Sequence, residues 1–121
     1  MKETILSIAK WHEQTFPDTD LQGQLAKFQE ETEEFAEDDS LTELADMFIV
    51  ACGMTRFDNM AALGCFAIVY KKISGKLLVS KCGKKWQKMA KMAKLAKMAK
   101  NRKRTWEKTP QGNYHHTNTE D

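Results

Sequence analysis

The chain has 121 residues, 41% of them hydrophobic and 30% charged, with a formal net charge of +2. That is the length of one domain with enough apolar content for one core. The longest apolar run, "MFIVACGM", is too short to cross a bilayer, and no signal-peptide pattern opens the chain. Cysteine is odd in number, at Cys52, Cys65 and Cys82, and without zinc-ligand spacing. That argues against a disulfide framework or a zinc site, and for reduced thiols in a cytoplasmic protein.

Proline is confined to Pro17 and Pro110, which leaves the middle of the chain open to long helices. The periodicity predicts a first helix from Glu3 to about Gln14, with Ile5, Ile8, Ala9 and Trp11 or His12 on one side. Pro17 pushes Phe16 out of helical geometry, so "FPDTD" reads as a connector. Asp18, Thr19 or Asp20 then caps a second helix that runs to about Glu37, with Leu21, Leu25, Phe28 and Phe35 on one face. Ser40 caps a third, from Leu41 to about Thr55, apolar at Leu44, Met47, Phe48 and Ala51. Asp58 or Asn59 opens a fourth through "MAALGCFAIVYKKI", after which "SGK" and "CGKK" interrupt the pattern. A last helix is expected from Trp86 to Arg104. In it Met89, Met92, Leu95, Ala96 and Ala99 cluster on one side at about 100° per residue, and Lys91, Lys94, Lys97 and Lys100 on the other. The expected fold is an all-α bundle of four or five helices over residues 1–106, followed by a polar, loose tail over 107–121.

The charge is unevenly placed. Glu30, Glu31, Glu33, Glu34, Glu37, Asp38, Asp39, Glu43 and Asp46 crowd into "QEETEEFAEDDSLTELADMF", while Lys71 to Lys108 is basic. Glu30, Glu31 and Glu34 form E-E-x-x-E on the second helix, and Glu43 and Asp46 form E-x-x-D on the third. Spacings of three and four put the carboxylates of each group on one face. The connector is short, so the helices should pack as a hairpin with the acids facing each other. An all-oxygen cluster of that kind suits a hard divalent cation. The other reading is a solvated acidic face, since like-charge neighbours cost only about 0.2–0.5 kcal/mol each. Glu43 also completes a capping box with Ser40, and Glu33, Glu37, Asp38 and Asp39 read as solvated helix-end charges.

"KFQEETEEF…LTELADMFIV" resembles the paired motifs of the MazG-like all-α nucleoside triphosphate pyrophosphohydrolases. "QLAKFQEE" is similar to the lead-in of that family, "ELADMFI" to its continuation, and "KNRKRTW" with "GNYHH" to the ending of short phage-type members. The resemblance spans roughly Trp11 to His116; the gap between Glu34 and Glu43 is shorter than in many members. It implies Mg²⁺, with Mn²⁺ as a substitute, held by Glu31, Glu34, Glu43 and Asp46. It implies that Glu30 orients or deprotonates the attacking water, and that the products are a nucleoside monophosphate and pyrophosphate. Phosphate binding would fall to Lys97, Asn101 and Arg104, and stacking on the base to Trp11, with His12 a weaker candidate. A homodimer or homotetramer is implied as well, through exposed apolar faces on the third and fourth helices.

Lys97, Asn101 and Arg104 fall on one helical face, whereas Lys88, Lys91 and Lys94 read as a solvated row. Lys27 either pairs with Glu31 or reaches a phosphate. Trp86 and Trp106 read as core or interface residues, and His115 and His116 belong to the tail, without an assigned role. The leading function is a nucleotide-pool hydrolase acting on nucleoside triphosphates. The alternative is a nucleic-acid-binding or interaction module that uses the Lys-rich helix. A membrane-surface role for that helix is the third, and neither of the last two needs EExxE to face ExxD.

Overall fold

The computed structural model describes residues 2–38, 40–79, 83–108, 110 and 114–116; for 75–79 and 83–90 the description is of the backbone. Cys82 and the side chains of Trp86, Lys88 and Met89 therefore lie outside it. Five helices follow one another: α1 (Ile5–Thr15), α2 (Leu21–Glu37), α3 (Leu41–Met54), α4 (Asn59–Val79) and α5 (Gly83–Lys103). Two short strands, β1 (Trp106–Lys108) and β2 (Tyr114–His116), pair antiparallel with Trp106 opposite His116. The chain is an all-α bundle with this one small hairpin appended, and among the described residues no helix is long and apolar enough to cross a membrane.

Local chemistry sets the helix starts. Thr4 and Ser7 form a reciprocal capping box, with Ser7 N–H donating to Thr4 Oγ1 (3.1 Å) and Thr4 N–H to Ser7 Oγ (2.8 Å). That cap begins α1 later than Glu3 and leaves the Glu3 carboxylate to pair with Arg102 at 3.0 Å. Asp20 is the residue that caps α2, accepting from Gly23 N–H at 2.8 Å, and Ser40 caps α3. Asp58 accepts from Met60 and Ala61 N–H to start α4. α4 does not stop at "SGK" but continues to Val79. A glycine inside a helix costs only about 1 kcal/mol against alanine, too little to end one.

α3 is the central helix, packing against α1, α2, α4 and α5. One side of it joins Phe28, Phe35, Ala62, Cys65 and Val69 through Leu44, Met47, Val50, Ala51 and Met54. The opposite side joins Ile8, Trp11, Phe16 and Met98 through Ile49 and Cys52. A helix apolar on nearly every side can only sit in the middle, so α3 offers no exposed apolar face to a partner. α4 does: Met60 (73% exposed), Leu63, Ile68 and Tyr70 (72%) look outward. At Gly53 α1 comes so close that an added Cβ would collide with the His12 ring. Cys52 and Cys65 are buried free thiols, and burial pushes their pKa values up, to about 12 for Cys52.

α5 is rotated relative to the expected face. Met98 is fully buried and Asn101 nearly so, Lys94 and Lys97 are partly buried, and Met92 (60% exposed) and Leu95 lie outside. The expected face grouped methionines and alanines by periodicity alone, whereas Met98 packs into the core with Ile8, Trp11 and Phe16, and the lysines beside it find partners. Lys97 reaches the Asp46 carboxylate (3.4 Å), while Lys94 donates to the Glu3 carbonyl (3.0 Å) with its ammonium over Phe48. Lys94 is thus no solvated-row lysine. The tail differs as well. Tyr114 lies on Phe16, and Lys108 Nζ donates to the Asp18 carbonyl (3.0 Å), so both hairpin strands are tied to the α1–α2 connector.

Candidate functional site

A cavity of about 850 Å³ opens between α1, α2, α3, α5 and the hairpin. All ten residues singled out from the sequence line it: Trp11, Lys27, Glu30, Glu31, Glu34, Glu43, Asp46, Lys97, Asn101 and Arg104. One end is acidic and the other aromatic. The acidic end arises because α3 folds back on α2 after a short connection, which brings E-E-x-x-E against E-x-x-D.

The five acids form two overlapping triples whose oxygens lie within 4.8 Å of one another: Glu30, Glu31 and Glu34, and Glu31, Glu43 and Asp46. Glu31 belongs to both. The four expected ligands are therefore not one equidistant set, because Glu34 is exposed and sits with Glu30, which itself stands in ligating position. Glu43 serves two purposes without conflict. Its backbone N–H donates to the Ser40 cap (3.3 Å), and its carboxylate stands in the second triple.

Glu31 is the residue under most electrostatic tension. It is 7% exposed, and its Oε2 has no hydrogen-bond partner. Burial, then the neighbouring Asp46 charge, push its pKa up to about 8 against the pull of Lys27. Asp46 is raised to about 6, by burial and by Glu43, with Lys97 opposing. Glu30 goes the other way: burial raises it, but Lys27 and His115 outweigh burial and hold it below the ordinary glutamate value. Adjacent carboxyls are thus driven apart in acidity, one ionised and one holding its proton near neutral pH.

Cations flank the cluster. Lys27 Nζ lies 3.3 Å from Glu30 Oε1 and 3.4 Å from Glu31 Oε1, so of the two readings of Lys27 the ion pair is present. Lys97 pairs with Asp46 from the α5 side. α5 ends at Lys103, so Arg104 is not on its face as expected; it folds back and donates from Nη1 to Asn101 Oδ1 (3.0 Å).

At the aromatic end Phe16 sits among Trp11 (5.3 Å between centroids), Trp106 (4.9 Å) and Tyr114 (4.7 Å). Trp11 is buried, with Phe16 and Trp106 against its ring edge-on, so it contributes a wall. His12 is buried behind it. Arg56 Nη1 can only donate to His12 Nδ1 (2.8 Å), so Nε2 carries the proton and donates to Gln24 Oε1 (2.9 Å). Gln24 in turn donates to Thr19 Oγ1 (3.0 Å). Burial and the Arg56 charge lower the His12 pKa to about 4, so the imidazole is neutral and fixed.

Sequence reasoning missed Phe16, Gln24, Tyr114 and His115 as lining residues. Gln24 carried no signal. The hairpin did: "TPQGN" between "WEK" and "YHH" has the proline and glycine of a turn between two segments with aromatic residues. No protein-family model, no curated protein and no solved structure matches the chain.

Proposed function

We propose that the protein is a divalent-cation-dependent nucleoside triphosphate pyrophosphohydrolase of the MazG-like kind, using Mg²⁺ or Mn²⁺. The observation that carries this reading is Glu31, a carboxylate with an unpartnered, buried oxygen shared by two acidic triples in a cavity large enough for a nucleotide. An isolated buried carboxylate pair is costly, and a hard cation among oxygen ligands relieves it. The donor set fits: only carboxylates, no cysteine or histidine in either triple, as Mg²⁺ and Mn²⁺ prefer.

Glu31, Glu43 and Asp46 would hold one cation, and Glu34 with Glu31 a second. A bound cation supplies Lewis acidity, which offsets phosphate charge and makes water more acidic. The chain's own groups divide the remaining work. Glu30, kept ionised by Lys27 and His115, accepts a proton from the attacking water. Lys97, paired with Asp46 beside the cluster, and Arg104 with Asn101 would bind the phosphates. The aromatic end receives the base, with Trp11, Phe16 and Tyr114 as apolar walls. A homodimer or homotetramer through the outer face of α4 completes the proposal.

The nucleic-acid alternative has less support, because Lys94 and Lys97 turn inward and break the lysine row. The deciding experiment is a panel of nucleoside triphosphates with Mg²⁺ or Mn²⁺, scored for pyrophosphate, beside DNA affinity measured against salt. Pyrophosphate release that needs the cation and is lost in Glu31→Gln supports the hydrolase. No turnover, together with salt-sensitive DNA binding, overturns it.

A further inference from the structure

The C-terminal hairpin takes no part in the acid motifs, yet it reaches them. His115 Nε2 lies 3.1 Å from Glu30 Oε1 and 3.3 Å from Oε2, straddling the carboxylate, while Lys27 holds Oε1 alone. The strand that carries His115 is fixed on both sides of that residue: Tyr114 lies on Phe16 (4.7 Å), and His116 meets Trp106 edge-on at 5.8 Å. Its partner strand is tied to the α1–α2 connector through Lys108. A side chain 51% exposed contributes little to the core, so packing does not explain why it points at Glu30.

We propose that His115 is a positioning residue for Glu30, and that the hairpin couples the aromatic end of the cavity to the orientation of that carboxylate. The inference rests on the hydrolase reading above. Lys27 alone contacts a single oxygen of Glu30 and is shared with Glu31, so it leaves the carboxylate plane unset. A second N–H, from His115 within reach of both oxygens, sets it. A carboxylate that must receive a proton from water within hydrogen-bond reach depends on that orientation. Because Tyr114 and His115 are consecutive on one short strand, a base packed against Tyr114 also steadies His115. Nucleoside-bearing substrates should therefore be favoured over inorganic tripolyphosphate.

The test is steady-state turnover of the best nucleoside triphosphate in wild type, His115→Ala, His115→Gln, Glu30→Gln and the His115→Ala/Glu30→Gln double variant. His115→Ala should lower kcat about tenfold, the scale of one lost charged hydrogen bond, with KM within about twofold. His115→Gln retains an N–H donor and should recover most of that loss. In the Glu30→Gln background His115→Ala should cost nothing further, a non-additivity that a general packing role would not produce. Unchanged thermal midpoints across the set confirm that folding is intact. An active wild type with an indifferent His115→Ala, or full additivity with Glu30→Gln, overturns the His115 inference alone. A wild type inactive on every nucleoside triphosphate overturns the hydrolase reading, and the positioning role falls with it.

Discussion

The two ends of the cavity solve opposite problems. At the aromatic end the buried His12–Gln24 pair is answered: His12 is fixed between Arg56 and Gln24, Gln24 is fixed by Thr19, and rings pack around them. At the acidic end five carboxylates converge, with Lys27 and Lys97 as ion-pair partners and His115 in contact with Glu30, and Glu31 keeps an unanswered oxygen. The first end contributes stability; the second costs it. A fold tolerates local frustration of this kind where a ligand relieves it, so on the proposed function the contrast separates packing residues from those that would bind the ligand.

The largest effect expected is on the packed end. Trp11→Ala should destabilise the protein by about 3–5 kcal/mol in chemical denaturation, since it empties a buried aromatic site. A loss below about 1 kcal/mol would mean that Trp11 serves a ligand and not the core. At the acidic end the order reverses. If Glu31 holds the cation of the proposed hydrolase, Glu31→Gln should lower turnover by at least about a hundredfold, since even the groups behind a metal ligand are worth about that much, while the cation-free fold is not weakened. Gly53→Ala should cost about 1–3 kcal/mol, as the new methyl meets the His12 ring. Gly64 gives the counter-case: a Cβ there meets nothing within 4 Å, so Gly64→Ala should stabilise α4 by up to about 1 kcal/mol.

The pH dependence sharpens the contrast further. Between about pH 4 and 6.5 the two ends oppose each other. Folded His12 stays unprotonated there, so its contribution grows as pH rises. Folded Glu31 and Asp46 hold protons that the unfolded chain has released, so theirs shrinks. Above about pH 7 the histidine is largely deprotonated in the unfolded chain as well as in the fold, and Asp46 is largely ionised. From there to about pH 8 the cation-free protein should lose stability as pH rises, through Glu31. Thermal midpoints across that range should fall in wild type and stay flat in Glu31→Gln. A rising wild-type midpoint would show that Glu31 is not held protonated by the fold.

The α2–α3 hairpin was legible because two signals agreed there. Apolar periodicity placed Phe28, Phe35, Leu44 and Met47 inward, and the acid spacing put Glu31, Glu43 and Asp46 along one edge. In α5 they disagreed. Periodicity favoured Met92 and Leu95 as the inner face, but Lys97 had an anion to reach at Asp46, on a different helix, and Met98 went inward with it. No reading of α5 alone contains that partner. The hairpin showed only its turn, for a related reason. Three-residue strands carry too little pattern of their own, and what fixes them is Phe16 and Asp18, nearly a hundred residues earlier.

If the buried, unanswered oxygen of Glu31 marks a cation's place, cation binding there should release a proton. Calorimetric titration of Mg²⁺ at pH 7, repeated in buffers of different ionisation enthalpy, counts the protons displaced. Because the Glu31 pKa stands near 8 without the cation, binding should release a proton from it at pH 7. Glu31→Gln should weaken binding and abolish that release. Binding of equal strength in wild type and Glu31→Gln, with heats independent of the buffer, would mean that Glu31 does not hold the cation.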